Sequence, residues 1–191
     1  VELAEALAPT APRAAATNAM QKIATPGKMA CADVADFLSV DLGRIVKAIA
    51  VVGEPEGGEK RFALLLLRGD HELNEIKASK IATINPFRFA TEEEVIAHLR
   101  CKPGFIGPVG IDRERVAVFA DRSVAVMSDF VCGANEAGYH MAGVNFGLDL
   151  AELLATRLLV QGNSGSGKSH LLRRLLEGSA GIVQQVVIDP E

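Results

Sequence analysis

Two apolar runs separated by a single turn constrain this chain more than any other feature. Ile45–Val52 (IVKAIAVV) is rich in β-branched residues, and Arg61–Leu67 (RFALLLL) is almost continuously apolar. GEPEGGE between them supplies the glycines and proline of a turn. Runs this short, bounded by turn residues, read as strands, so the spacing predicts a β-hairpin buried on at least one face. A buried hairpin needs other elements to cover it. With 49% apolar residues the 191-residue chain has the material, and with 8 Phe, 1 Tyr and no Trp that core is mostly aliphatic.

The flanks supply those elements. Met29–Val40 has helical spacing of Met29, Val34, Phe37 and Leu38, and Leu73–Ile81 has helical periodicity with Asp70 as its expected N-cap. Phe87–Ala90 reads as a short strand. TEEEVIAHL opens with a Thr cap and three glutamates, as a solvated helix start does. Val116–Ala120 and Ser123–Met127 read as strands around an Asp121-Arg122 turn, and CGANEAGYHMAGVNFG as a long loop ending in an extended stretch. The Ala- and Pro-rich residues 1–24 read as a lead-in. The predicted class is α/β: a compact mixed-sheet domain with helices packed around it.

Composition excludes several functions. Twenty Lys+Arg against twenty-four Asp+Glu leave a net charge of −4, not the basic excess of an autonomous nucleic-acid binder. Cys31, Cys101 and Cys132 are odd in number and far apart, which argues against a disulfide scaffold or structural zinc and for a reducing, cytoplasmic setting. Asp70 and His71 have no third metal ligand at a workable spacing, so no metal site is predicted. No apolar run approaches membrane-spanning length, and no secretory leader is visible, so no membrane partner is expected.

Chemistry-bearing residues are few. Gly104-Phe105-Ile106-Gly107-Pro108-Val109-Gly110 is a loop whose glycines can bring backbone N–H groups close to a ligand, or simply a turn. Lys47 interrupts an apolar strand, either facing outward on an edge or pointing a cation into a cleft. His140 and Asn135 flank a Gly-punctuated stretch; Asn135 either binds an amine or holds its loop. There is no G-x-S-x-G elbow.

Several of these stretches occur together in one known family. Val46-Lys47-Ala48, Leu67 to Glu75 (LRGDHELNE), Gly104 to Gly110, Gly133-Ala134-Asn135, His140 and Val144-Asn145 lie in the order in which they occur in the editing insertion domain of bacterial prolyl-tRNA synthetases. From Thr25 to about Gly147 the chain resembles that domain and the free-standing YbaK-type aminoacyl-tRNA deacylases. The resemblance implies hydrolysis of alanine wrongly esterified to proline tRNA, whose acceptor end is the partner, with no cofactor. It implies a catalytic set of Lys47, Gly107, Pro108 and His140, with Gly104, Phe105 and Asn135 binding substrate. His140 is then a size gate that admits alanine and excludes proline. The Leu67–Glu75 stretch is implied to be scaffold and pocket edge. No class II synthetase core is recognisable beside this region, so prolyl activation is not expected of the chain.

After Gly147 the character changes. Gly162-Asn163-Ser164-Gly165-Ser166-Gly167-Lys168-Ser169 fits G-x-x-x-x-G-K-[ST] between a predicted strand and helix, resembling the opening of HerA-type P-loop ATPases. Gly162, Gly165, Gly167 and Lys168 would ring the phosphates of Mg-ATP and Ser169 would hold the Mg²⁺. The segment reads as a truncated strand–P-loop–helix–strand tail without room for a Walker-B strand. The expected organisation is a lead-in (1–24), an editing domain (25–147) and a P-loop fragment (148–191). A nucleotide-binding protein and a non-catalytic fusion are the alternatives.

Overall fold

The computed structural model describes residues 14–146. The first compact unit of the chain closes at Phe146; the second, Gly147–Glu191, lies outside the described residues, as do the P-loop residues Gly162, Gly165, Gly167, Lys168 and Ser169.

The predicted hairpin is the centre of the fold. β2 (Ile45–Gly53) and β3 (Arg61–Arg68) pair antiparallel from Val46↔Arg68 to Gly53↔Arg61. Around them the described residues build a seven-stranded sheet in the order β1-β7-β6-β2-β3-β5, where β1 is Gln21–Ala24, β5 Ala117–Ala120, β6 Phe130–Gly133 and β7 Tyr139–Val144. β4 (Phe87–Phe89) pairs with the far end of β2. The β2–β6 and β3–β5 pairs are parallel and the others antiparallel, so the sheet is mixed, as predicted.

Both faces of the hairpin are covered, which explains why RFALLLL shows no polar alternation. Phe62, Leu64 and Leu66 pack with Val46 and Val52 against Val95 and Leu99 of α3 (Glu92–Leu99). Ala63 and Leu65 pack with Val51 against Ala78 and Ile84 on the other side. α1 (Cys31–Leu38) sets Val34 and Ala35 onto Ile45 and Val131.

Four local expectations are corrected. Residues 21–24 are not lead-in but an edge strand, β1, paired with β7; its side chains are mostly exposed, so no apolar alternation marked it. Ser123–Met127 is not a strand: Arg122–Ala125 forms the short helix α4, because the Asp121 carboxylate accepts the Ser123 N–H at 2.9 Å and caps it. The helix in Leu73–Ile81 shrinks to α2 (Glu75–Ala78), capped by Asn74 rather than Asp70, whose carboxylate is held by Arg68. CGANEAGYHMAGVNFG does end in an extended stretch, β7, but its start is the end of β6, so the loop between them shrinks to residues 134–138.

Candidate active site

A cleft of about 250 Å³ opens where α1 crosses the first half of β2. Its walls are Met29–Cys31 and Val34 from α1 and its approach, Ile45–Ala48 from β2, Gly104 and Ile106 from the following loop, Gly133 from β6, and His140 from β7. Lys47, Gly104 and His140, far apart in sequence, thus share one concavity. The volume lies below the roughly 300–1,000 Å³ of pockets that hold drug-sized ligands, which suits a small group. The cleft walls themselves carry no carboxylate among the described residues.

His140 is 4% exposed. Its Nδ1 stands 2.7 Å from Oγ1 of the fully buried Thr25, and its ring meets the Phe105 ring edge-on with centroids 5.7 Å apart. Burial holds its pKa below the ordinary imidazole value, so the ring is neutral near pH 7. Nε2 has no hydrogen-bond partner among the described residues. The imidazole at this cleft wall is thus neutral, packed and less basic than a free one.

The Gly104–Gly110 loop divides into two parts. Gly104 and Ile106 line the cleft, and their N–H groups have no partner among the described residues. Gly107 and Pro108 lie buried behind the wall, and the Gly107 N–H donates to Asn135 Oδ1 at 2.9 Å. The expectation that the whole stretch cradles a ligand is therefore corrected: the N–H of Gly107 is taken. The glycine at 107 meets a different need. A Cβ there would stand 2.1 Å from the Gly133 carbonyl oxygen, and one at Gly133 2.3 Å from that of Phe105. Two glycines face each other so that the loop backbone can lie against β6.

Asn135 is what fastens that contact. Besides accepting from Gly107, its Nδ2 donates to the Gly107 and Val109 carbonyls, each at 2.9 Å, and its own N–H donates to the Phe105 carbonyl. Its φ of +54° is one that Asn tolerates better than most residues. Of the two readings left open, the loop-holding one describes its side chain, and Asn135 is not a cleft-lining residue. Phe105 likewise packs in the core and reaches the site only through His140.

Lys47 is on no edge: β2 lies inside the sheet. It shares its face of the strand with Ile45 and Ile49, and its side chain is 22% exposed at the cleft mouth, where Nζ donates to Glu72 Oε1 at 3.3 Å. Residues that follow β3 and β5 in the chain form further ion pairs. Arg68 grips Asp70 with two bonds of 2.7 Å, and Asp121 accepts from Lys77 and from the Ser123 hydroxyl. His71 Nδ1 stands 3.4 Å from that hydroxyl, whose proton already goes to Asp121, so no Ser–His nucleophile exists here. No three His, Cys, Asp or Glu residues among those described are grouped to hold a metal. No described helix is long and apolar enough to cross a membrane.

Thr25, Met29, Cys31, Val34 and Glu72 were not singled out in the sequence as site residues. Thr25 marked only the start of the region of resemblance. Cys31 was read only through its redox context, yet its thiol is in the cleft wall, pushed up in pKa by burial against the pull of Lys47.

Comparison with known proteins bears on this geometry. The aminoacyl-tRNA editing domain family matches residues 25–150, and a second family, the central domain of helicase HerA, matches 136–191. The two overlap across β7, which belongs structurally to the sheet just described. The proline–tRNA ligase of Dechloromonas aromatica (strain RCB) is 69% identical over 183 residues, covering 93% of this chain and 32% of that protein. That of Methylobacillus flagellatus is 54% identical over 184 residues, with the same coverage. The chain thus spans about a third of the length of these relatives. A solved structure described as a candidate trans-editing enzyme for prolyl-tRNA synthetase shares the fold, with a TM-score of 0.56 at 23% identity over 71% of this chain and 80% of that one.

Proposed function

The chain belongs to the aminoacyl-tRNA editing domain family, and from that premise we propose that it hydrolyses alanine esterified to proline tRNA, in the cytoplasm, as the editing domain of a prolyl-tRNA synthetase. The observation that supports this most is the convergence of Lys47, the Gly104–Ile106 backbone and His140 on one small cleft.

An aminoacyl ester is already activated, so the site has to orient water and stabilise charge rather than supply a nucleophile. In this reading the ester carbonyl points at the Gly104 and Ile106 N–H groups. Water adds to the carbonyl carbon, its oxygen bonding there as the carbonyl becomes an oxyanion. Collapse breaks the bond to the ribose oxygen, which takes up a proton and leaves as the terminal hydroxyl. Lys47 binds a phosphate or the ribose of the tRNA end by charge-assisted hydrogen bonds. His140 limits the space for the amino-acid side chain.

Size exclusion fits the biological problem. A synthetic site cannot reject a smaller amino acid by more than about 1–3 kcal/mol per methylene, so a second site that only the smaller one enters is needed. The test is release of alanine from Ala-tRNA(Pro) by the purified chain. The expected result is hydrolysis that falls about ten- to a hundred-fold in Lys47→Ala, the range for a hydrogen bond to a charged group. An unaffected Lys47→Ala variant would remove Lys47 from the site.

The helicase match favours a second, separate reading for residues 162–169, a Mg-ATP site. Thermal stabilisation by Mg-ATP that disappears in Lys168→Ala supports it. No stabilisation at saturating nucleotide contradicts it.

A further inference from the structure

We propose that the Lys47–Glu72 ion pair is a displaceable latch, in which Glu72 occupies at the cleft mouth the place that a phosphate of a single-stranded RNA 3′ end takes on binding. The proposal rests on the reading of Lys47 as an RNA-binding residue and adds to it the group that must leave.

The two partners are unlike. Lys47 is mostly covered, at 22% side-chain exposure, on an interior strand of the sheet, whereas Glu72 is 95% exposed. The stem of Lys47 is covered while its ammonium meets Glu72 in an exposed pair, and no cleft-lining side chain offers it an anion. The backbone that carries Glu72 is nevertheless fixed from both sides. The His71 N–H donates to the Arg68 carbonyl, Arg68 holds Asp70 through two bonds, and Asn74 caps α2 by accepting from the Lys77 N–H. The carboxylate is delivered to Lys47 by a stapled turn, yet among the described residues Lys47 alone hydrogen-bonds to it.

Other carboxylates that follow β3 and β5 in the chain are held more firmly. Asp70 receives two bonds of 2.7 Å from Arg68, and Asp121 receives bonds from Lys77 and from the hydroxyl and N–H of Ser123. Among the described residues Glu72 has one hydrogen-bonded ion pair, at 3.3 Å. When a polyanion reaches the cleft, Glu72 is the carboxylate that gives way most readily, since an exposed pair of this kind stabilises little. A phosphate then replaces it like for like: Lys47 stays paired, and the repulsion of one carboxylate at the mouth is relieved. In the empty site the latch holds Lys47 extended towards that position.

The test is binding of a non-aminoacylated RNA hairpin that carries an acceptor arm and a single-stranded 3′ end, measured by fluorescence anisotropy at low and rising salt. Glu72→Gln is expected to lower Kd about two- to five-fold. It is also expected to steepen the slope of log K against log salt by about 0.7, because the phosphate on Lys47 then sheds its counterion with no freed carboxylate beside it to take a cation up. Lys47→Ala/Glu72→Gln is expected to show no gain over Lys47→Ala. A Kd that is unchanged or raised in Glu72→Gln, a gain that persists without Lys47, or no detectable binding overturns the latch. Because the hairpin carries no ester, the two readings fail separately. Binding with the expected shifts but no cleavage of Ala-tRNA contradicts the hydrolysis reading alone. Cleavage of Ala-tRNA with no effect of Glu72→Gln on hairpin binding contradicts the latch alone.

Discussion

The Thr25 hydroxyl and the His140 imidazole meet at 2.7 Å across 115 positions of sequence, both buried, where the edge strand β1 ends beside β7. The contact fixes the ring that forms one wall of the cleft. Thr25→Val keeps the shape but leaves Nδ1 without its partner, so stability should fall by about 1–3 kcal/mol in urea denaturation. The preference for Ala-tRNA over Pro-tRNA should narrow as the ring loses its anchor. Thr25→Ser, which restores the hydroxyl, should recover both; failure to do so would mean that the methyl group rather than the hydrogen bond matters.

Asn135 should act through its loop. Asn135→Ala removes three side-chain hydrogen bonds to Gly107 and Val109 and leaves a residue less suited to positive φ. A loss of about 1–3 kcal/mol is expected, with slower alanine release because Gly104 and Ile106 are less well placed. Asn135→Gly relieves the backbone alone, so it should recover only a small part of the loss. Full activity in Asn135→Ala would show that the loop holds its shape unaided.

The facing glycines predict a sharper effect. Gly107→Ala or Gly133→Ala forces a methyl group to within 2.1 or 2.3 Å of a carbonyl oxygen, contacts that require the backbone to move. Destabilisation at or above the ~1–3 kcal/mol of ordinary overpacking is expected by chemical denaturation. Gly57→Ala, at a site with φ of +71° and nothing within 4 Å, is the control for backbone strain alone.

How much of this was legible before the fold was known depends on where the signal lay. The β2–β3 hairpin could be read because both its faces are buried, so that each strand is an apolar run, broken in β2 only by Lys47. α3 could be read because Thr91 and Glu94 form a capping box written in four adjacent residues. α4 was missed because one carboxylate, Asp121, outweighs the strand-like alternation of the residues after it. β6 was missed, and β7 read only as an extended end of a loop, because Gly133 and Gly138 look like loop punctuation, although Gly133 is there for close packing. Lys47, Gly104 and His140 were found through motif resemblance, whereas Thr25 and Glu72 are defined only by partners distant in sequence.

Acid should destabilise the protein in two stages. Burial lowers the pKa of His140 and His98, so the stability they contribute by staying neutral is present above the unfolded value of 6.5 and is lost as pH falls below it. Hydrogen bonds from Arg68 hold Asp70 at about 2, and those from Arg88 hold Glu94 at about 2. Burial pushes Asp121 up, but bonds from Lys77 and Ser123 outweigh it and bring it to about 2. Asn145 and then Thr17 hold Asp129 lower still. Each depressed carboxylate stabilises the fold above its unfolded value and loses that contribution as pH falls through its folded one. The melting temperature should therefore decline gently below about pH 6.5 and steeply from about pH 4 towards pH 2. A melting temperature that stays level down to pH 3 would contradict these assignments.

The most direct measurement of the central claim is deacylation of Ala-tRNA(Pro) and Pro-tRNA(Pro) side by side, by the unaltered chain and by His140→Ala. The account predicts that the unaltered chain releases alanine and spares proline, and that His140→Ala narrows that preference about ten-fold or more by opening the wall to the larger ring. An unaltered chain that spares both esters, or a His140→Ala variant with the original preference, would contradict it.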